Sequence, residues 1–283
     1  MAHAIGHVDN TGSEGLAHWQ LLALLKTLGE ANGWTTLRYT TPTDGSPREL
    51  ILQGVGLSGA EQIFIGFRTY HDATADYYNV SVAAFTGYVG AAAFNAQPGW
   101  HEMGLCAHNR RIDYWIAVNA QRFAFALKVG TPVYELGYVG KYFCYATPGQ
   151  YPYPMAVIGT LNGTPATRYS DVTAAHSSGA KGALAQGAVR DQMGTWQQFF
   201  NQPFTGETNN AAAIRRDTGG QYSALPSVLY NGHNVWGELD GVRYVCGFDN
   251  VVENTATIDG VAQVVVQDVF RTGIGDYFLL ELN

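Results

Sequence analysis

Twice near its end the chain sets Asp-Gly between two apolar runs. "VWGEL" leads into Asp240-Gly241 and on to "VRYVCGF", and "TATI" leads into Asp259-Gly260 and on to "VAQVVVQDVFRT". A type I′ turn needs φ > 0 at both central residues, which Asp tolerates and Gly adopts freely. Asp-Gly between β-prone runs is therefore the strongest short signal for an antiparallel hairpin. "SVLYN" before these runs and "DYFLLELN" after them read as further strands. A terminal antiparallel sheet is expected, with both Asp-Gly pairs at its turns.

Strand character also fills the first half. "WTTLRYT", "RELILQGVG", "EQIFIGFRTY" and "YYNVSVAAFTGYV" are short β-rich runs, with turn signals at Pro42-Thr43-Asp44-Gly45 and Ser58-Gly59. In "IDYWIAVNAQRFAFALKV", Asn119-Ala120-Gln121 reads as a hairpin connection between two apolar strands. One helix precedes them. Leu16, Trp19, Leu22, Leu25 and Leu28 recur at helical spacing in "TGSEGLAHWQLLALLKTLGEANG", and Leu21 and Leu24 widen the stripe. Thr11 with Glu14 three residues on matches a capping box, and Asn32-Gly33 suits a left-handed C-terminal stop.

Residues 148–226 have a different texture. Ala, Gly, Ser, Thr, Gln and Asn dominate stretches such as "AAHSSGAKGALAQGAV", which read as loops with short helices. Loops of that length are usually functional or ordered by a partner. The expected organisation is an N-terminal arm and helix (1–33), a first β-rich region (34–147), this loop-rich middle (148–226) and a C-terminal hairpin region (227–283) packing with the first. The fold class is mainly β, with antiparallel, sandwich-like sheets and one N-terminal α-helix. No fixed-period repeat points to a solenoid or propeller.

Charge narrows the function classes. Charged residues are 14% of the 283, against roughly 25% in ordinary globular chains. A surface of neutral polar groups, glycine and tyrosine suits a subunit covered by neighbours, because interface cores are poor in charge and rich in aromatics. The formal net charge is −7, and Arg110–Arg111 and Arg215–Arg216 are isolated pairs, which argues against nucleic-acid binding. The longest apolar runs, such as Leu21–Leu25 and Val264–Val266, fall far short of the roughly 20 residues a membrane span needs. "MAHAIGHVDN" lacks the basic and apolar regions of a signal peptide.

Groups that could carry chemistry are scattered. Cys106, Cys144 and Cys246 are far apart with no CxxC, and read as buried thiols. "TYHDATAD" gathers His71, Asp72 and Asp76, but a solvated turn explains it better than a metal site. "WHEMGLCAHN" gathers His101, Glu102, Cys106 and His108, ligand types zinc accepts, in a spacing that matches no known motif. No GxSxG elbow surrounds Ser58, and "GLSGAE" and "GTLNGT" lack the lysine of a phosphate loop. Glu61, Asp113, Glu238 and Asp240 are generic candidates for a carboxylate pair, which only spatial separation could identify. No catalytic residue, metal or cofactor is expected, and the chain reads as non-enzymatic.

The aromatic residues point toward contact instead. "YATPGQYPYP", from Tyr145 to Pro154, joins a Pro148-Gly149 turn to an extended Tyr151-Pro152-Tyr153-Pro154 path. It reads as an ordered loop whose tyrosines anchor it or face a neighbour. Tyr145, Pro148, Tyr151, Tyr153, Trp100 and Trp236 are the expected contact residues, for protein or for stacking on a sugar face. Three long stretches carry a resemblance: "ELILQGVGLSGAEQIFIGFRTYHDATADYYNVSVAAFTGYVG", "YWIAVNAQRFAFALKVGTPVYELGYVGKYFCYATPGQYPYPMAVIG" and "NVWGELDGVRYVCGFDNVVENTATIDGVAQVVVQDVFRT". From about Trp34 onward the chain resembles a family of virion structural proteins of tailed bacteriophages. The resemblance implies a tail-tip or baseplate component in several copies, assembled in host cytoplasm. Its implied partners are other tail or baseplate proteins and copies of itself in a ring. The alternative role is a receptor- or glycan-binding module at the tail tip, with those aromatics stacked on a host-surface sugar, and the alternative placement is a neck or head-decoration station. It implies no catalytic residues.

Overall fold

The computed structural model describes residues 2–145, 154–171, 176–181, 186–200, 223–247 and 249–282. In chain order the elements are β1 (Ala2–Asp9), α1 (Ala17–Ala31), β2 (Trp34–Thr40), β3 (Glu49–Gly54), β4 (Ile63–Asp72), β5 (Tyr77–Phe85), β6 (His101–Leu105), β7 (Arg111–Asn119), β8 (Arg122–Lys128) and β9 (Tyr134–Lys141). They continue with β10 (Phe143–Cys144), β11 (Met155–Ile158), β12 (Leu161–Asn162), β13 (Gly187–Arg190), β14 (Trp196–Gln197), β15 (Ala224–Tyr230), β16 (Val235–Val245), β17 (Thr255–Ile258), β18 (Val261–Gln267) and β19 (Tyr277–Glu281). The fold is mainly β, as the strand patterning predicts, with three antiparallel sheets and one helix.

A seven-stranded sheet, β1-β7-β8-β9-β11-β13-β14, forms the middle layer. Its central strands are apolar on both sides. In β8, Phe123, Phe125 and Leu127 enter a core shared with β3, β4, β5 and α1, while Ala124 and Ala126 enter a second core shared with β16, β18 and β19. This is why "RFAFALK" reads as a near-continuous hydrophobic run: a strand buried on both faces has no solvent side to keep polar. The sheet β12-β6-β5-β4-β3-β2 covers one face and the sheet β10-β16-β19-β18-β17, with β15 also paired to β16, covers the other.

The helix lies in the first core through Ala17, Leu21, Leu22 and Leu25. It begins at Ala17, later than the capping box predicts. Thr11 is turned back onto Asp9, its hydroxyl 2.6 Å from Oδ1, and Glu14 pairs with Arg48, so neither caps the helix. The Ala17 amide instead donates to the Asn109 carbonyl at 3.1 Å. The other end stops as expected, with Gly33 at φ +87°. Among the described residues, no helix is long and apolar enough to cross a membrane.

Two segments depart from expectation. The N-terminal arm is a full strand, β1, registered on β7 from Ala2↔Val118 to Asp9↔Arg111. Within the segment read as loops, Met155–Ile158 is fully buried and fills the slot between β9 and β13. The β7–β8 connection turns at Ala120-Gln121, with Asn119 paired to Arg122, as predicted.

Of the two Asp-Gly signals, one makes a turn. Asp259 (φ +54°) and Gly260 (φ +79°) form the β17–β18 hairpin, both in the left-handed region a type I′ turn demands. Asp240-Gly241 corrects the expectation: it lies inside β16, which runs unbroken from Val235 to Val245. Val228 pairs with Glu238 and Pro226 with Arg243, so one residue of β15, Ser227, faces four of β16, residues 239–242. The dipeptide makes a bulge, and only Gly241 takes positive φ (+75°).

Candidate contact edge and interior polar cluster

The short strand β10 forms an edge of the third sheet, pairing Phe143 with Glu238 and Cys144 with Gly237. The approach is close: a Cβ on residue 237 would stand 1.9 Å from the Phe143 carbonyl oxygen, so only glycine fits there. The next residue extends the pairing, with the Tyr145 amide donating to the Trp236 carbonyl at 3.0 Å. The Tyr145 hydroxyl donates to Glu238 Oε2 at 2.8 Å. Partial burial, and then the carboxylate beside it, push that phenol up to about 12. Phe143 (44% exposed), Tyr145 (56%) and Val235 (61%) are thus apolar or aromatic groups held out from a rigid, paired edge.

The sequence-predicted contact residues separate. Tyr145 stands on this edge. Trp236, its backbone partner, points the other way into the second core at 3% exposure and offers no face to a ligand, which corrects the expectation that its ring meets a partner. A bulge in β16 accompanies it: Leu229 pairs with Gly237 and Tyr230 with Val235, leaving Trp236 as the extra residue. Trp100 is 39% exposed on the turn into β6, beside a corner where the Trp196 indole donates to the Gly99 carbonyl at 3.0 Å and stacks on His101. Pro148, Tyr151 and Tyr153 lie outside the described residues.

The two local clusters weighed as metal sites take other roles. Asp72 Oδ1 accepts the Thr74 and Ala75 amides at 2.7 and 3.1 Å and shapes the β4–β5 turn. His71 stacks flat on Tyr78 and edge-on to His18. Glu102 takes both nitrogens of an Arg68 fork at 3.0 and 2.7 Å. His101, under Trp196, is driven by burial to about 4, and the His108 Nδ1 accepts the Arg110 amide at 2.8 Å. Of the generic carboxylates, Glu61 pairs with Lys141, Asp113 with Arg111, and Asp240 with Arg122. Glu238 serves Tyr145, and the Ser58 hydroxyl accepts the Ala60 amide at 3.3 Å.

Only Cys106 of that set meets further chemistry. Its sulfur lies 3.9 Å from His176 Nε2, and its amide donates to Glu135 Oε2 at 3.2 Å. His176 Nε2 lies 3.2 Å from Glu135 Oε1. The Thr160 hydroxyl donates to Glu135 Oε2 as well. Burial, and then the Glu135 charge, push the Cys106 thiol far up. For His176, burial works against the charge, but the Glu135 carboxylate outweighs it and raises the imidazole.

From His176 the polar chain continues. Its carbonyl accepts Arg271 Nη1 at 2.6 Å, and Arg271 also reaches Asp268 Oδ2 at 3.1 Å. Asp268 takes the Ser178 amide at 2.6 Å and the Ser177 hydroxyl at 2.7 Å, and Lys181 bridges Asp268 and Asp276. Residues 176–181 are thereby clamped between β9 of the middle sheet, the end of β6, and the connection before β19. Glu135 and His176 lie 29 and 70 residues beyond Cys106, and no local spacing in the sequence announces them.

A scan against protein-family models finds no match to this chain, and a search of curated proteins finds none.

Proposed function

We propose that this chain is a non-enzymatic structural subunit of a tailed-phage virion, placed at the tail tip or baseplate and working through protein–protein contacts. The observation that carries the contact role is the β10 edge. Phe143, Tyr145 and Val235 stand exposed on backbone that Gly237 and the Tyr145–Glu238 bond hold in place. Exposed aromatics on a pre-organised scaffold lose little entropy on binding, which is what a repeated assembly contact needs. The edge strand β1 adds to the reading. Among the described strands it pairs only with β7, and it carries Ile5 outward at 54% exposure. A regular eight-residue edge is a template for a neighbour's strand. The virion placement is supported by the sequence resemblance from about Trp34 onward. The glycan alternative keeps Trp100 and Tyr145 and loses Trp236.

The test has two arms. Light scattering on the purified chain is expected to give an oligomer that the Phe143→Ser/Tyr145→Ser variant weakens at least about tenfold in association constant, since buried aromatic anchors are worth 2 kcal/mol or more. Mass spectrometry of washed particles is expected to find the chain in several copies. A monomer that is absent from the particles would overturn the reading.

A further inference from the structure

Three unlike metal-ligating side chains converge in the interior from three separate parts of the chain. Cys106 follows β6, Glu135 lies on β9 and His176 opens the 176–181 segment, and all three are at least nine-tenths buried. One ligand atom from each lies within 4.8 Å of the others. We propose that Cys106, Glu135 and His176 form a structural zinc site, with thiolate, carboxylate and imidazole as protein ligands and a water molecule as the fourth.

The spacing suits the ion. With Zn–S near 2.3 Å and Zn–N and Zn–O near 2.0–2.2 Å, tetrahedral geometry puts nitrogen about 3.4 Å from oxygen and about 3.6 Å from sulfur. The His176 Nε2 lies 3.2 Å from Glu135 Oε1, 3.4 Å from Oε2 and 3.9 Å from the Cys106 sulfur. The sulfur closes by a few tenths of an ångström on Nε2 and, with the three atoms lying within 4.8 Å of one another, by up to about 1.2 Å on the carboxylate oxygen as the ion draws the ligands in. The carboxylate is already aimed, because the Cys106 amide and the Thr160 hydroxyl both hold its Oε2.

Charge suits it too. One thiolate and one carboxylate cancel a divalent cation, leaving a neutral centre in a region where an uncompensated charge is costly. Binding takes the proton from the Cys106 sulfur to solvent as the S–Zn bond forms, and takes any proton on His176 Nε2, so affinity falls as pH falls. The cationic neighbour Arg271 is held by the His176 carbonyl and by Asp268. The Tyr70 hydroxyl is buried, interacts with the Asn79 side chain and electrostatically with the Cys106 sulfur, and is a polar group for the bound water to meet. The residues are shut away from solvent, which favours a structural ion that pins residues 176–181 to β9 over a catalytic one.

The experiment uses the full chain, stripped with chelator and titrated with zinc, and in parallel with cobalt(II) as a coloured probe. One zinc per chain is expected, with a raised Tm and a thiolate-to-cobalt charge-transfer band. Cys106→Ser should abolish the band and weaken zinc binding by about 100-fold or more, since it removes a direct ligand. Glu135→Gln keeps the size of the side chain and the Thr160 contact, and should also weaken zinc, so the outcome does not hang on one variant folding. His3→Asn, exposed on the edge strand β1, should bind as the parent does. No zinc retained at micromolar concentration, or binding and band unchanged in both Cys106→Ser and Glu135→Gln, would overturn the site.

Discussion

The Arg122 guanidinium meets the Asp240 carboxylate with Nε 3.3 Å from Oδ2, both side chains closed to water. Asn119 and Gln121 donate to the same Oδ2 at 2.7 and 2.8 Å, and Arg122 Nη1 donates to the Ala117 carbonyl at 2.8 Å. A two-residue hairpin of the middle sheet is thus tied to a bulge of the outer sheet through one carboxylate. Asp240→Ala removes the acceptor and leaves a buried guanidinium and two amides short of it. The expected loss is about 3–5 kcal/mol, the scale for breaking one side of a buried ion pair. Urea denaturation should show a lower midpoint at an unchanged slope.

His18 makes the pH dependence testable. It is fully buried on α1 among Trp19, His71 and Tyr78, with neither ring nitrogen hydrogen-bonded among the described residues. Burial, and then His71, Arg48 and His108, hold its imidazole well below the ordinary value of 6.5. Above that value both folded and unfolded chains are neutral here. Below it the unfolded chain takes up a proton that the folded chain refuses, so stability falls with pH by about 1.4 kcal/mol per unit for this group. His71 and His108 are lowered too and add to the fall. In the metal-free chain His176 works in the other sense: its raised imidazole contributes stability below 6.5 that is lost as pH rises through the folded value. His18→Phe should match the parent at pH 7.5 and melt at a higher temperature than it at pH 5. A constant offset at both pH values would exclude His18 as the sensor.

The β10 edge depends on Gly237. Gly237→Ala places a methyl against the Phe143 carbonyl, which is backbone and can only yield by moving the strand. Overpacking of this kind costs about 1–3 kcal/mol. Here it falls on a two-residue strand, so the expected effect is local: faster amide exchange at Tyr145, whose N–H bonds the Trp236 carbonyl, with little change in the exchange of β8.

Much of the fold was legible because its signals are local. The apolar stripe of α1, the apolar runs of β7 and β8 and the Asp259-Gly260 turn each act within a few residues, and each forms an element of the expected type. What escaped depends on distant partners. β1 is a strand because β7 offers a long edge to pair with, and "HAIGHVD" shows only a weak alternation. β11 is a strand because two neighbours bury "MAVI" completely, inside a segment whose composition suggests loops. The interior cluster was legible only at Cys106, since Glu135 and His176 arrive from β9 and the 176–181 segment. Trp236 was chosen as an exposed aromatic, but it is the extra residue of a bulge in β16 and is buried in the second core, while Val235 beside it stays exposed.

The two Asp-Gly pairs offer the sharpest contrast between a local signal and its tertiary setting. Gly260 sits at a hairpin tip with φ +79° and open space where a Cβ would go. Gly260→Ala therefore meets only the strain of the left-handed conformation, about 1–2 kcal/mol. Gly241 has nearly the same φ, +75°, but a Cβ there would stand 2.2 Å from Arg122 Nη2. An arginine end would ordinarily swing aside. This one is fixed by Asp240 and the Ala117 carbonyl, so Gly241→Ala must also disturb the buried pair. Gly241→Ala is expected to cost at least about 2 kcal/mol more than Gly260→Ala, and the excess should shrink in an Asp240→Asn background, where the pair is already weakened. A double-mutant cycle read by urea denaturation checks this. Equal costs at the two glycines would mean that backbone strain alone governs both sites and that Arg122 yields freely.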